Sequence, residues 1–284
     1  MSKKDYLIIL FLKQSNINSK IIMKEINKFM KDQERQQQIL ELLKLKGNVS
    51  VVKLINALQV SPATIRRDLT KMEAKGLIKR VHGGAILFVS NNAETSLILR
   101  EEENKKEKKE LCERAVDFIQ NNQSVFLDSS STVAQIVPFL NNFQYLVLVT
   151  NGLNIALQIG SQTKFMAFVP SGFVKTQSNS ITGETVISSL NKIKCDVIIF
   201  SCAGISNEFD ICEPSIEVSE IKSLMMKNAK KILLVDSTKF NKKYFSKTCE
   251  LKDVDVLITE KMPEEKYVQY LKANNVQLVV TRKS

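Results

Sequence analysis

From residue 33 onward the apolar positions fall into two rhythms. Over Gln33–Lys46, Ile39, Leu42, Leu43 and Leu45 recur at near-helical spacing, and Gly47 supplies a stop. Val51, Leu54, Ile55 and Leu58 then occupy i, i+3, i+4 and i+7, predicting a one-faced helix over Val51–Leu58. A third helix is predicted over Ala63–Lys75, ending at Gly76, with Ser61 placed to cap it, Pro62 at its first position and Ile65, Leu69 and Met72 as its stripe. Leu77–Val81 and Ala85–Val89 read as strands joined by His82-Gly83-Gly84, so the segment is a winged helix-turn-helix.

Beyond residue 105 the rhythm changes to short apolar runs alternating with helical patterns. Val125–Asp128, Tyr145–Thr150, Phe165–Pro170, Asp196–Ala203, Ile232–Asp236, Val254–Thr259 and Gln277–Val280 read as strands, and Lys105–Ile119 as a helix. The alternation predicts an α/β domain with a mainly parallel sheet covered on both faces. The expected organisation is an extension over 1–29, the winged helix-turn-helix over 30–90, a polar connector over 91–104 and the α/β domain over 105–284, with the joint near Ser90–Ala93. Residues 1–29 show only loose helical periodicity. They are read either as an extension ahead of a true start at Met30 or as an amphipathic appendage packing on a partner subunit.

Charge sharpens the division. The net charge is +11, yet residues 1–90 hold 17 Lys and Arg against 7 Asp and Glu, and residues 91–284 hold 24 against 23. A basic module beside a neutral one is the footprint of a polyanion-binding part, the alternative being a general lysine bias. Five cysteines form no C-x-x-C pair and sit mostly in apolar runs, as buried free thiols of a reducing cytoplasm do. One histidine, His82, leaves little for a metal cage or a catalytic triad, so neither metal nor cofactor is expected. Tyr6–Leu12 is too short for a membrane span and lacks a cleavage site, which points to a cytoplasmic protein without membrane contact.

On the third helix Ala63, Arg67, Thr70 and Lys71 face away from the apolar stripe, with Arg66 at its flank. That cationic face is either a solvated surface or a recognition helix for the major groove of double-stranded DNA. Glu34-Arg35-Gln36-Gln37-Gln38-Ile39-Leu40, Val60 through Leu69 (VSPATIRRDL) and Gly76 through Ala85 (GLIKRVHGGA) occur in order, and together this region resembles the DNA-binding module of the DeoR family of bacterial sugar-responsive transcriptional repressors. The resemblance implies that Thr64, Arg66 and Arg67 contact base edges and phosphates. Lys79, Arg80 and His82 would set the wing along the backbone or minor groove, and Ser61, Thr70 and Lys71 complete the expected surface.

In the second domain, ligands are expected at the carboxyl ends of the strands. Val125–Asp128 runs into Ser129-Ser130-Ser131-Thr132 and a helix, which forms a phosphate cradle or an ordinary cap cluster. Phe126–Thr132, Val149–Ala156, Glu217–Lys222 and Asp236–Phe240 resemble the same family's effector domain, itself similar to sugar-phosphate isomerases, and the overall likeness spans about residues 31–281. It implies a homo-oligomeric repressor of a carbohydrate-utilisation operon that answers to a phosphorylated sugar. Asp128, Ser129, Ser130, Ser131, Thr132, Thr150, Asn151 and Gly172 would hold the effector, with Glu220, Lys222, Asp236 and Lys239 lining the pocket.

Three departures stand out: Ser130-Ser131 for Gly-Thr, Ser171-Gly172 for Gly-Gly, and Ser201-Cys202-Ala203-Gly204 for Gly-Ala-Asp-Gly, which loses an acid. The alternative of a retained isomerase would need Glu220 or Asp236 as base and Lys222 or Lys239 to stabilise the enediolate. Redox sensing through Cys195, Cys202 or Cys212 is the third reading, opposed by the scarcity of neighbouring cations.

Overall fold

The structure is a computed structural model that describes residues 32, 34–43, 47–87, 97–176 and 178–281. The chain divides into two compact units, Met1–Phe88 and Val89–Ser284. The readings of Tyr6–Leu12, of Met30 and of the joint near Ser90–Ala93 lie outside the described residues.

In the first unit, helix α1 spans 34–43. Gly47, at φ +70°, donates its N–H to the Leu43 carbonyl at 2.8 Å, as expected of a glycine stop. Strand β1 (Asn48–Ser50), helix α2 (Val51–Leu58), helix α3 (Pro62–Ala74) and strands β2 (Ile78–Val81) and β3 (Gly84–Leu87) follow. Helix α3 begins one residue before the predicted start, with Pro62 inside its first turn. Ile39, Leu43, Leu54, Ile65, Leu69 and Met72 are fully buried and hold the three helices together. The wing has a strand the sequence pattern does not announce: β1 pairs antiparallel with β3, giving the order β1-β3-β2. Gly84 allows it, because a Cβ there would lie 2.5 Å from the Val49 carbonyl oxygen.

The second unit is built on a seven-stranded sheet whose neighbours all pair parallel, in the order β15-β14-β12-β9-β4-β5-β6. Its strands are β4 (Ser124–Leu127), β5 (Val147–Thr150), β6 (Ala167–Phe168), β9 (Val197–Ser201), β12 (Lys230–Leu234), β14 (Val256–Thr259) and β15 (Gln277–Val280), one in each predicted run. Side chains alternate between two cores: Val125, Leu127, Val197 and Ile199 belong to one, Phe126, Ile198 and Phe200 to the other. Burial on both faces is why these strands read as unbroken apolar runs. The helices are α4 (Leu97–Glu102), α5 (Lys105–Ala115), α6 (Leu153–Gln162), α7 (Glu184–Leu190), α8 (Ile216–Met225) and α9 (Glu265–Ala273).

Several features differ from the sequence reading. The expected connector over 91–104 contains α4, whose Leu97 is buried. The segment after Ser129–Thr132 is not an α-helix but a 3-10 helix over Val133–Asn142, with Pro138 inside it. A hairpin of β7 (Phe173–Lys175) and β8 (Ser180–Thr182), and a small antiparallel sheet of β10 (Gly204–Ile205), β11 (Asp210–Glu213) and β13 (Ser246–Glu250), add to the parallel sheet. Among the described residues no helix is long and apolar enough to cross a membrane.

Candidate functional site

Two surfaces concentrate functional chemistry, one in each unit. In the first, Ser61 caps α3: its hydroxyl oxygen accepts the Thr64 N–H at 3.2 Å and shares a hydrogen bond with the Thr64 hydroxyl at 2.9 Å. Arg66, Arg67, Thr70 and Lys71 are exposed along the helix, as are Lys79, Arg80 and His82 on the wing. Not all of these side chains are idle. Arg80 donates through Nη1 to the Thr70 hydroxyl at 3.0 Å, tying wing to helix, and its backbone N–H donates to Glu73 at 2.9 Å. Lys71 pairs with Asp32 at 3.2 Å.

The orientation of α3 depends on a pair that the sequence reading did not single out. Asp68, fully buried on the inner face of α3, accepts a 2.5 Å hydrogen bond from Nε of Arg35 on α1, and Arg35 also donates to Asp32 at 2.6 Å. The hydrogen bond to Asp68 raises the Arg35 guanidinium above its ordinary pKa, and Arg35 in turn lowers the Asp32 carboxyl. Arg67 and Asp68 are adjacent and about 100° apart around the helix, which lets Arg67 stay exposed while Asp68 is buried.

In the second unit a cavity of about 140 Å³ opens beyond the carboxyl ends of β4, β9 and β12. It is smaller than the roughly 300–1,000 Å³ of sites for drug-sized ligands, a size suited to a small metabolite. Ser129, Ser130, Ser131, Lys222, Asp236 and Lys239 line it, together with Arg100, Glu103, Asn104, Lys108, Glu213, Lys242 and Tyr244. Asp128 stands behind the wall. Its carboxylate accepts from the Ser130 N–H at 3.0 Å, the Ser130 hydroxyl at 2.5 Å and the Ser201 N–H at 3.2 Å.

Lys222 is buried between Asp128 at 2.9 Å and Glu213 at 2.5 Å, and donates to the Ser201 carbonyl at 2.6 Å. Burial alone would lower its pKa, but the two carboxylates outweigh it and hold the ammonium above its ordinary value. Asp236 accepts from Nδ2 of Asn104 at 3.0 Å, from the Thr238 N–H at 3.2 Å and from the Thr238 hydroxyl. Burial pushes this carboxyl up, yet Lys239, the Thr238 hydroxyl and Lys108 together bring it below the usual carboxylate value.

Two ammonium groups facing the cavity are placed differently. Lys239 donates to the Cys202 carbonyl at 2.6 Å and the Ser201 hydroxyl at 3.3 Å. Lys108 donates to the Ser131 hydroxyl at 3.1 Å and to the Arg100 carbonyl. Among the described residues neither forms an ion pair. Burial, then the nearby Lys239 charge, pulls Lys108 down to about 8.

Besides Asp128, five expected effector residues lie outside the cavity lining. Thr132 is buried with no place in the cavity lining. The Thr150 hydroxyl is spent on the Gly152 N–H at 3.0 Å, and Asn151 donates to the Ile181 carbonyl at 3.4 Å beneath the β7–β8 hairpin. Gly172 is packed so closely on that hairpin that a Cβ would lie 2.6 Å from the Thr182 carbonyl oxygen. Glu220 is exposed beside a separate open groove with Lys227 and Lys247. It precedes Lys222 by two positions, about 200° around the helix, and so projects from another side of α8.

The reading in turn omitted Lys108, although Leu111, Cys112 and Ala115 place it on the buried stripe of α5 at i−3 and i−4. Lys242 and Tyr244 are brought in by Gly204, where a Cβ would lie 2.5 Å from the Lys242 carbonyl oxygen. Cys202 lines the cavity as a thiol pushed by burial to about 12, and Cys195 is pushed to about 11, so neither is a reactive thiolate.

Comparison with known proteins agrees with this architecture. Residues 35–91 match the family model of the DeoR-like helix-turn-helix domain and residues 103–261 that of the DeoR C-terminal sensor domain. The HTH-type transcriptional regulator GolR of Listeria innocua is 32% identical over 228 residues, covering 80% of this chain and 90% of that protein. The glycerol-3-phosphate regulon repressor of Escherichia coli is 29% identical over 250 residues, covering 88% and 99%. Among solved structures, ribose 5-phosphate isomerase A from Methanocaldococcus jannaschii aligns with a TM-score of 0.37 at 13% identity, covering 50% of this chain and 56% of that one. With a DeoR-like helix-turn-helix followed by a DeoR C-terminal sensor domain, the chain belongs to the DeoR family of transcriptional regulators.

Proposed function

We propose that this regulator represses a carbohydrate-utilisation operon by laying α3 into the major groove of its operator, and that a phosphorylated sugar in the cavity of the second unit alters that binding. The observation that carries the effector reading is the pair Lys108 and Lys239: two cavity-facing ammonium groups that form no ion pair among the described residues, with the Asp236 carboxylate a more distant counter-charge shared by both. Crowded cations in a partly desolvated site repel one another, as Lys239 and Arg100 do Lys108, and a phosphate dianion relieves that repulsion. Ser129–Ser131 add hydroxyl and amide donors along the same wall. The relatives named as regulators, one of a glycerol-3-phosphate regulon, support the same assignment.

A homo-oligomer presents two recognition helices to two half-sites, which is how helix-turn-helix proteins read palindromic operators. Such a protein acts where the chromosome is, in keeping with the expected cytoplasmic location. The isomerase alternative is disfavoured: Glu220 projects away from the cavity, and Asp236, held below the usual carboxylate value by its partners, is a poor base near neutrality. The deciding experiment is a gel-shift titration with genomic fragments in the presence of a phosphosugar panel. One fragment should bind in preference to random competitor and be weakened by one sugar phosphate, without turnover of ribose 5-phosphate. Equal affinity for all fragments refutes the regulatory reading; preference unaffected by every phosphosugar refutes the effector.

A further inference from the structure

Helix α4 and the two residues after it form one wall of the cavity, through Arg100, Glu103 and Asn104. Six residues are too few for a helix to persist alone in water, so α4 depends on what holds it. Its attachments are specific. Leu97 is buried, Glu101 accepts a hydrogen bond from Nδ2 of Asn154 on α6, the Arg100 carbonyl accepts from Lys108, and Asn104 donates to Asp236. Two of these ties end on groups that face the cavity.

The geometry points to a clamp: an anion held by Lys108 fastens α4, the first described helix after the DNA-reading unit in the chain, onto the sensor domain. This rests on the effector reading above. An ammonium has three N–H donors. Lys108 spends two, on the Arg100 carbonyl and the Ser131 hydroxyl, and the third is available to a ligand. An anion at that position favours the charged form of the lysine, and hydrogen bonds from a charged donor are roughly twice as strong as neutral ones. The same ammonium that holds the ligand therefore also holds α4, so an anion that fixes Lys108 in place fixes α4 with it.

Hydrogen exchange on the intact chain tests this, using inorganic phosphate, glycerol 3-phosphate, glucose 6-phosphate and ribose 5-phosphate, with binding measured separately by calorimetry. The ligand that binds should slow exchange across 97–104. Asn154→Asp sets a second carboxylate against Glu101 outside the cavity, and Asn154→Ala only deletes the tie. Both should leave 97–104 exchanging faster in the ligand-bound protein than in the unaltered chain, weaken ligand binding through the reciprocal linkage, and reduce the ligand's effect on operator binding, Asn154→Asp more than Asn154→Ala. Binding without any change at 97–104, or full slowing in both variants, overturns the clamp and leaves the effector reading intact. Binding by none of the four compounds overturns the effector reading and the clamp with it.

Discussion

Lys108 shows how much chemistry a single buried amine can carry. Its pKa of about 8 arises from burial and from Lys239, opposed by Asp236 and Glu103, with Arg100 adding to the repulsion. Below pH 8 the free protein already carries the proton and phosphate meets a full cation. Above it, binding must first bring a proton in, so affinity should fall by up to about tenfold per pH unit until the raised pKa of the complex is reached. The ligand's own second ionisation, near pH 6, lies outside that window. Calorimetry in buffers of different ionisation heat should show proton uptake on binding above pH 8, and Lys108→Met should abolish both the uptake and the slope. On the DNA side, Arg67→Ala should cost about 1–3 kcal/mol and relax sequence preference, whereas Lys79→Ala should weaken all sequences about equally. Competition titrations against single-base operator variants separate the two.

At the scale of elements, the recognition helix is aimed by its buried face. Arg35→Met leaves Asp68 enclosed without its counter-charge and should destabilise the first unit by about 3–5 kcal/mol, read by denaturant unfolding. Gly84→Val should disrupt the wing, since its Cβ would strike the β1 backbone at Val49; loss of phosphate contacts with helix content retained is the expected signature. These elements also show what the sequence could reveal. Strands β4, β9 and β12 were legible because burial on both faces demands continuous apolar residues. Helix α2 was legible because one apolar face repeats without interruption. Strand β1, three residues with one buried side chain, offers no such pattern, and its pairing with β3 is visible only once the wing is folded. Helix α4 was hidden by the polar composition of its surroundings. The cavity was partly legible for the same reason: motifs mark the strand ends, so Ser129–Ser131, Lys222, Asp236 and Lys239 were found. That Asn151 is spent on Ile181 depends on a contact across 30 residues, whereas the Thr150–Gly152 turn and the roughly 200° between Glu220 and Lys222 on α8 are local features.

For the whole molecule, the concentration of positive charge in residues 1–90 separates two salt responses. Operator binding should weaken steeply and linearly on a log–log plot of affinity against salt, because each neutralised phosphate releases counterions. Effector binding in a partly buried cavity should respond far less. Filter-binding and calorimetric titrations over the same salt series test both.

Each unit has its own core, and Leu97 is already rooted in the second. Exchange of DNA specificity between related regulators therefore has a natural seam. A hybrid joined anywhere in 88–96 inherits the receiver's cavity wall whole, whereas a junction a few positions later would combine one protein's α4 with another's Lys108 and sever the cue from the response.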